Sequence, residues 1–174
     1  MRIRPLLAAI CLAGSGCASI DRYALRTTAS MLARGRKAAL EEPDFQLGRD
    51  AVASSLKLIE TMLVSEPGNL SLRRLVAEGF CGYAFLFVED AEPNRAKGLY
   101  IRGRDHALAA LALKSVFQGL KDKNIEDFEK ALTWAKKEDV PDLFWAGFGW
   151  GGMVNLSKDD ASALADLPKV VLLI

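Results

Sequence analysis

The chain has 174 residues and a net charge of +1, with 51% apolar and 26% charged residues. This composition excludes a disordered chain, and the balanced charge argues against a nucleic-acid binder. A single histidine and three cysteines rule out a His-rich metal site, a two-His zinc site and a dense disulfide scaffold.

The first residues read as an address. Met1-Arg-Ile-Arg4 is a basic n-region, and Pro5 to Ala13 is an apolar stretch too short to span a bilayer. Gly14-Ser15-Gly16 leads into Cys17, followed by Ala18-Ser19. Small residues before a cysteine resemble a bacterial lipobox, although Gly14 stands where such boxes usually carry Leu. Cys11 lies inside the apolar stretch and is the poorer candidate. We therefore expect residues 1–16 to be a lipoprotein-type signal peptide, Cys17 to be lipidated, and the rest to be a domain held on a membrane by that lipid.

Beyond the leader the pattern predicts helices only. Ile20 to Leu40 forms a first helix, which Glu41-Glu-Pro43 ends. Asp44 caps a second, whose stripe runs through Leu47, Ala51, Val52, Leu58, Ile59, Met62 and Leu63. Ser65 to Asn69 is a turn. The third helix runs from Leu70 to Val88 and is apolar on several sides, as a helix buried or at an interface is. Glu89 to Pro93 breaks it, and a fourth starts at Pro93 and continues to about Leu120. A short fifth helix covers Ile125 to Lys136. Aromatics and glycines are then packed together from Asp142 to Leu156, and a last helix begins near Leu167-Pro168. The fold class expected is all-α.

The third and fourth helices also fit one tetratricopeptide-type (TPR) hairpin. Phe80, Tyr83, Ala84 and Phe87 fall on its first-helix positions, and Ala96, Tyr100 and Gly103 on its second. Small residues let such helices approach and aromatics fill the space between them. Trp145, Phe148 and Gly149 begin a second partial unit, 65 residues after Phe80.

Few residues invite chemistry. Gly147-Phe-Gly149-Trp-Gly151-Gly152 formally satisfies G-x-G-x-x-G, but no strand precedes it, so a dinucleotide site is rejected. Its aromatics, Phe144, Trp145, Phe148 and Trp150, are either core packing or a ligand-facing or partner-facing wall. His106 has no second ligand at metal spacing and reads as a structural histidine; Cys81 reads as a small core residue. The acidic turn Glu89-Asp90-x-Glu92 lacks the glycine and spacing of a calcium loop. No acid–base pair or activated nucleophile emerges. The expectation is no enzyme, no cofactor and no metal.

Three stretches carry a resemblance. They are Ser55-Leu-Lys-Leu-Ile-Glu60 with Glu66-Pro-Gly-Asn69; Gly82 to Asp90 with Arg95 to Tyr100 and Arg102-x-Arg104-Asp105; and Asp139 to Trp150 with Asn155 to Asp160 and Leu167-Pro-Lys-Val170. Over residues 17–174 the chain resembles the TRAP-transporter-associated TatT proteins, periplasmic lipoproteins of bacteria. The resemblance implies antiparallel TPR-like hairpins stacked as an α-solenoid, and no enzymatic activity. It also implies docking to the periplasmic TRAP solute-binding protein and a ring-like homotrimer with a hydrophobic channel. The implied cargo is a small hydrophobic or carboxylate solute, and the implied location is the periplasm, lipid-anchored to the outer membrane of a Gram-negative bacterium. Tyr83, Phe87, Trp145, Phe148 and Trp150 are the residues expected to line its groove or channel. The alternative is a structural TPR-like scaffold with no ligand. Family members continue beyond the Leu-Pro-Lys-Val stretch, so the array is expected to be incomplete at its C-terminus, with residues after Ser157 the least stable.

Overall fold

The computed structural model describes residues 41–174, together with 23, 25, 27–35, 37 and 38. The chain divides into two units, Met1–Glu41 and Glu42–Ile174. In the first, the described residues from 23 to 38 are helical, with Thr27 Oγ1 donating to the Tyr23 carbonyl. The signal peptide and Cys17 lie outside the described residues.

The second unit holds helices α1 (Phe45–Ser65), α2 (Leu70–Tyr83), α3 (Pro93–Leu111), α4 (Ile125–Leu132), α5 (Val140–Asn155), α6 (Ala161–Leu164) and α7 (Leu167–Leu173). Among the described residues there is no strand, and the chain is all-α. The starts follow local chemistry. Asp44, Asn69 and Asn124 each accept a backbone N–H of the first turn, from Leu47, Leu72 and Asp127. Pro93, Pro141 and Pro168 occupy the first turns of α3, α5 and α7, where their missing N–H costs nothing.

Contacts fix the directions. Gly79 of α2 faces Leu56 of α1, and Phe87 just beyond α2 meets Phe45 of α1, so these helices are antiparallel. Phe80 stacks on His106 while Glu89, past the end of α2, accepts the Tyr100 hydroxyl, so α2 and α3 are antiparallel too. α3 is likewise antiparallel to α5: Lys114, just past α3, binds Asp139, while Tyr100 meets Gly152. α2 and α5 thus run parallel, one on each side of the seam with α3. α7 returns against α5, with Val170 at Gly151 and Leu173 at Gly147.

Three boundaries differ from the sequence reading. The third predicted helix is α-helical only to Tyr83; Ala84–Val88 is a π-turn, closed by Glu89 N–H on the Ala84 carbonyl at 2.9 Å. The wider turn keeps both Ala84 and Val88 in the core while leaving Phe85 and Leu86 outside. The fourth ends at Leu111, not near Leu120. The following segment forms two 3-10 turns, Ser115–Phe117 and Leu120–Asp122, which bury Phe117 and Leu120. Between them Gly119 has φ 63°, a left-handed conformation suited to glycine. Nothing in Ala112 to Lys114 forbids a helix; burial of Phe117 and Leu120 decides. The fifth ends at Leu132 rather than Lys136, and Lys137–Asp139 is a 3-10 turn leading straight into α5.

The glycines of α3 and α5 are contact points. A Cβ on Gly103 would collide with Cys81 Sγ and stand 3.0 Å from the Ala77 carbonyl oxygen. One on Gly149 would lie 2.8 Å from the Tyr100 carbonyl oxygen and 2.9 Å from Arg104 N. Gly98 has nothing within 4 Å. Gly103→Ala is therefore expected to destabilise the protein by about 1–3 kcal/mol. Gly98→Ala, on an open face of α3, should stabilise it by about 0.5–1 kcal/mol. Thermal unfolding of both variants checks the pair of opposite signs.

Candidate functional site

Two aromatic groups and one ionic group are built on the α2, α3 and α5 framework. The first group lies across α2 and α5. Phe148 is its centre, with ring centroids 5.8 Å from Phe85, 5.8 Å from Phe144, 5.6 Å from Trp145 and 6.1 Å from Tyr100. Phe144 and Trp145 are 4.9 Å apart, edge to face. Phe85 is 58% and Phe144 47% exposed, while Trp145 and Phe148 are half-buried. Together they make an apolar surface that extends outward from the core. Tyr100 forms its floor, buried and donating its hydroxyl to Glu89. Burial first, then the Glu89 carboxylate, push that phenol's pKa up, so it stays a neutral donor.

The second group is Tyr83, Phe87 and Phe45. Phe87 is 5.5 Å from Tyr83 and 5.0 Å from Phe45. Tyr83 is buried, Phe87 half-buried and Phe45 exposed.

The five aromatics singled out from sequence do not form one wall. Trp145 and Phe148 meet, and Tyr83 and Phe87 meet. Trp150 points elsewhere and is 1% exposed. Its ring packs 6.3 Å from Phe128, with the Arg104 guanidinium 5.1 Å above it, and its Nε1 donates to Asp166 Oδ2 at 2.9 Å. The cause is helical geometry: positions 148 and 150 lie roughly 200° apart around α5. Phe85, Phe144 and Tyr100 complete the first group. Phe85 went unnoticed as a site residue because the π-turn that presents it leaves no mark in the periodicity.

The ionic group ties the start of α5 to its neighbours. Arg74 donates from Nε to Asp142 Oδ1 at 2.8 Å and from Nη2 to Oδ2 at 2.7 Å, and Nη2 also reaches the Glu138 carbonyl at 2.6 Å. This carboxylate raises the pKa of Arg74. Lys114 Nζ donates to both oxygens of Asp139, at 2.6 and 2.8 Å, and Lys136 N–H donates to Asp139 Oδ2 at 3.0 Å.

The remaining candidates are structural. Cys81 is buried, its Sγ directed at the Trp145 carbonyl, and burial pushes its thiol up to about 12. A thiol so protonated is a poor nucleophile. His106 stacks 5.9 Å from Phe80, and burial, reinforced by the charge of Arg73, lowers its pKa. Among the described residues no three His, Cys, Asp or Glu side chains stand where they could hold a metal ion.

The TAtT family model, described as TRAP transporter T-component, matches residues 41–174. The chain belongs to the TRAP transporter T-component family. No curated protein matches it. The match takes in both aromatic groups and the ionic group. A T-component is an accessory of TRAP transport rather than an enzyme, associated with a transport system of the cell envelope. No helix among the described residues is long and apolar enough to cross a membrane.

Asp139 gives this T-component an acid-sensitive contact. Burial alone would raise its pKa, but the bonds from Lys114 and the Lys136 N–H outweigh that and hold it below its ordinary value of 3.8. A depressed folded-state pKa contributes stability above the ordinary value and loses it as pH falls through the folded one. Asp139→Asn should therefore lower the unfolding temperature at pH 7. The gap to wild type should narrow steadily as the pH is taken below about 4, as thermal melts across that range would show.

Proposed function

We propose that this T-component is a periplasmic lipoprotein. In this reading residues 1–16 are removed as a signal peptide, and Cys17 carries the lipid that holds the domain on a membrane, the outer membrane of a Gram-negative bacterium. Residues 17–174 then form TPR-like hairpins that assemble as a trimer. The protein docks the periplasmic TRAP solute-binding protein and shelters a small hydrophobic or carboxylate solute in passage.

The observation that carries this reading is the exposed aromatic surface around Phe148. An apolar patch that projects from the core, rimmed by polar residues, marks a binding surface, and aromatic residues dominate binding energy at such surfaces. The family supplies the system, and the patch supplies the contact. Trp145 and Phe148, with Phe85 and Phe144, are the residues that would touch partner or solute. Phe87, beside Phe45 and Tyr83, would offer a second, separate contact, and Trp150, on the opposite flank of α5, would contribute through the stability of the core. The alternation of antiparallel and parallel pairs among α1, α2, α3 and α5 supports the TPR-like description.

A second reading, a scaffold with no ligand, is favoured by one specific observation: Gly103, Gly149 and Gly152 and the rings of Tyr83 and Trp150 are all consumed in helix packing. Affinity capture of a periplasmic TRAP solute-binding protein separates the two. Phe148→Ala and Trp145→Ala should each lower capture affinity about tenfold or more with the fold retained. Trp150→Ala should cost about 3–5 kcal/mol of stability. Undiminished capture by the Phe148→Ala/Trp145→Ala double variant would leave the scaffold reading standing.

A further inference from the structure

We propose that the Arg74–Asp142 ion pair is a register device: it sets where Trp145 and Phe148 stand against Phe85, and so shapes the docking surface. The functional half of this inference rests on the reading above; the structural half does not.

The contacts between α2 and α5 lie along one seam. α2 presents Arg74, Cys81 and, just past its end, Phe85 along one line; α5 presents Asp142, Trp145 and Phe148 along another. The pairs meet in order: Arg74 with Asp142 at one end, Cys81 Sγ with the Trp145 carbonyl in the middle, Phe85 with Phe148 at the other. The middle contact, a thiol 3.8 Å from a carbonyl oxygen, is weak. The far end is two rings of which one is largely exposed, and ring pairs accept a range of offsets. The glycine contacts with α3 set how close the helices come. Neither the thiol nor the ring pair, lacking direction, fixes how α5 is turned along α2.

The near end does. Two parallel N–H···O bonds between a planar guanidinium and a carboxylate admit one orientation. The third Arg74 bond, to the Glu138 carbonyl, holds the chain just before α5 in the same grip. The Asp142 side chain is only 3% exposed, so water cannot readily take over its bonds if α5 shifts. Lys114 grips Asp139 from the end of α3, but as a flexible point charge that tolerates sliding. An ion pair with one buried partner adds little net stability compared with well-packed apolar groups, which leaves its directional bonds to set register.

The deciding variant is therefore Arg74→Met with Asp142→Leu, which keeps volume and removes direction. It is studied in the full chain, labelled with 4-fluorophenylalanine. The expected result is an unfolding temperature near that of wild type, with the 19F resonances of Phe85 and Phe148 moved or broadened and those of Phe117 and Phe128 unchanged. Capture of the TRAP solute-binding protein should fall about tenfold. Arg74→Lys, which keeps the charge and loses the fork, should move the same two resonances and serves if the double variant does not fold. Unmoved Phe85 and Phe148 resonances in both variants would overturn the register role, whatever the partner does. Moved resonances with unchanged capture would overturn its bearing on docking. Failure of the docking surface itself is read separately, as undiminished capture by Phe148→Ala/Trp145→Ala.

Discussion

Helices α3 and α5 lie in backbone contact, and the rest of the described α-helical unit is arranged around that contact. At Gly149 the α5 backbone lies directly on the backbone of α3 at Tyr100 and Arg104, with the Cys81 sulfur filling the remaining corner. Gly152 leaves room for the Tyr100 ring, and Gly103 lets α2 come down on α3 through Cys81. α3 and α5 are thereby held near backbone contact, with the small Cys81 side chain joining α2 to both. Such contact forfeits the area a larger residue would bury and gains many close dispersion contacts instead. It also leaves no slack: a methyl group at these positions has nowhere to go.

That tight centre explains where the aromatics end up. With glycines occupying the α3 face of α5, the large side chains on that helix are displaced to its flanks. Phe144, Trp145 and Phe148 emerge on the α2 side, where the π-turn presents Phe85 to meet them. Trp150 emerges on the opposite flank and is enclosed by Phe128, Arg104, Lys169 and Asp166. One surface of α5 is thus available to a partner and the other belongs to the core. Polar groups then fix the ends of the helices: Arg74 and Lys114 clamp the start of α5, and Glu89 holds Tyr100 beneath the aromatic surface.

Much of this was legible in the residues. Asp44 and Pro93 mark helix starts because capping and φ restriction act within a single turn. Of the stripe on α1, Ile59, Met62 and Leu63 are in the core, whereas Leu47 and Leu58 are exposed and Leu56, outside the stripe, is buried. The long apolar and aromatic stretches carried enough identity for the family to be recognised. The split of the five candidate aromatics was less accessible. On a helix, nearby positions such as 148 and 150 can serve opposite sides, and which side is core depends on partners distant in sequence.

By itself, then, the sequence determined the all-α class, the starts of α1 to α4 and the family, because periodicity, capping and motif identity are local properties of the chain. Only the tertiary structure decided where helices stop and which aromatics face outward. α3 ends at Leu111 because Phe117 and Leu120 gain more from burial than from continuing a helix. Val88 stays inside because a π-turn absorbs a residue. Arg74 and Asp142 meet across 68 positions only once α2 and α5 run parallel. Each of these outcomes weighs a local preference against long-range burial or charge pairing, and in a packed interior the long-range contribution is the larger.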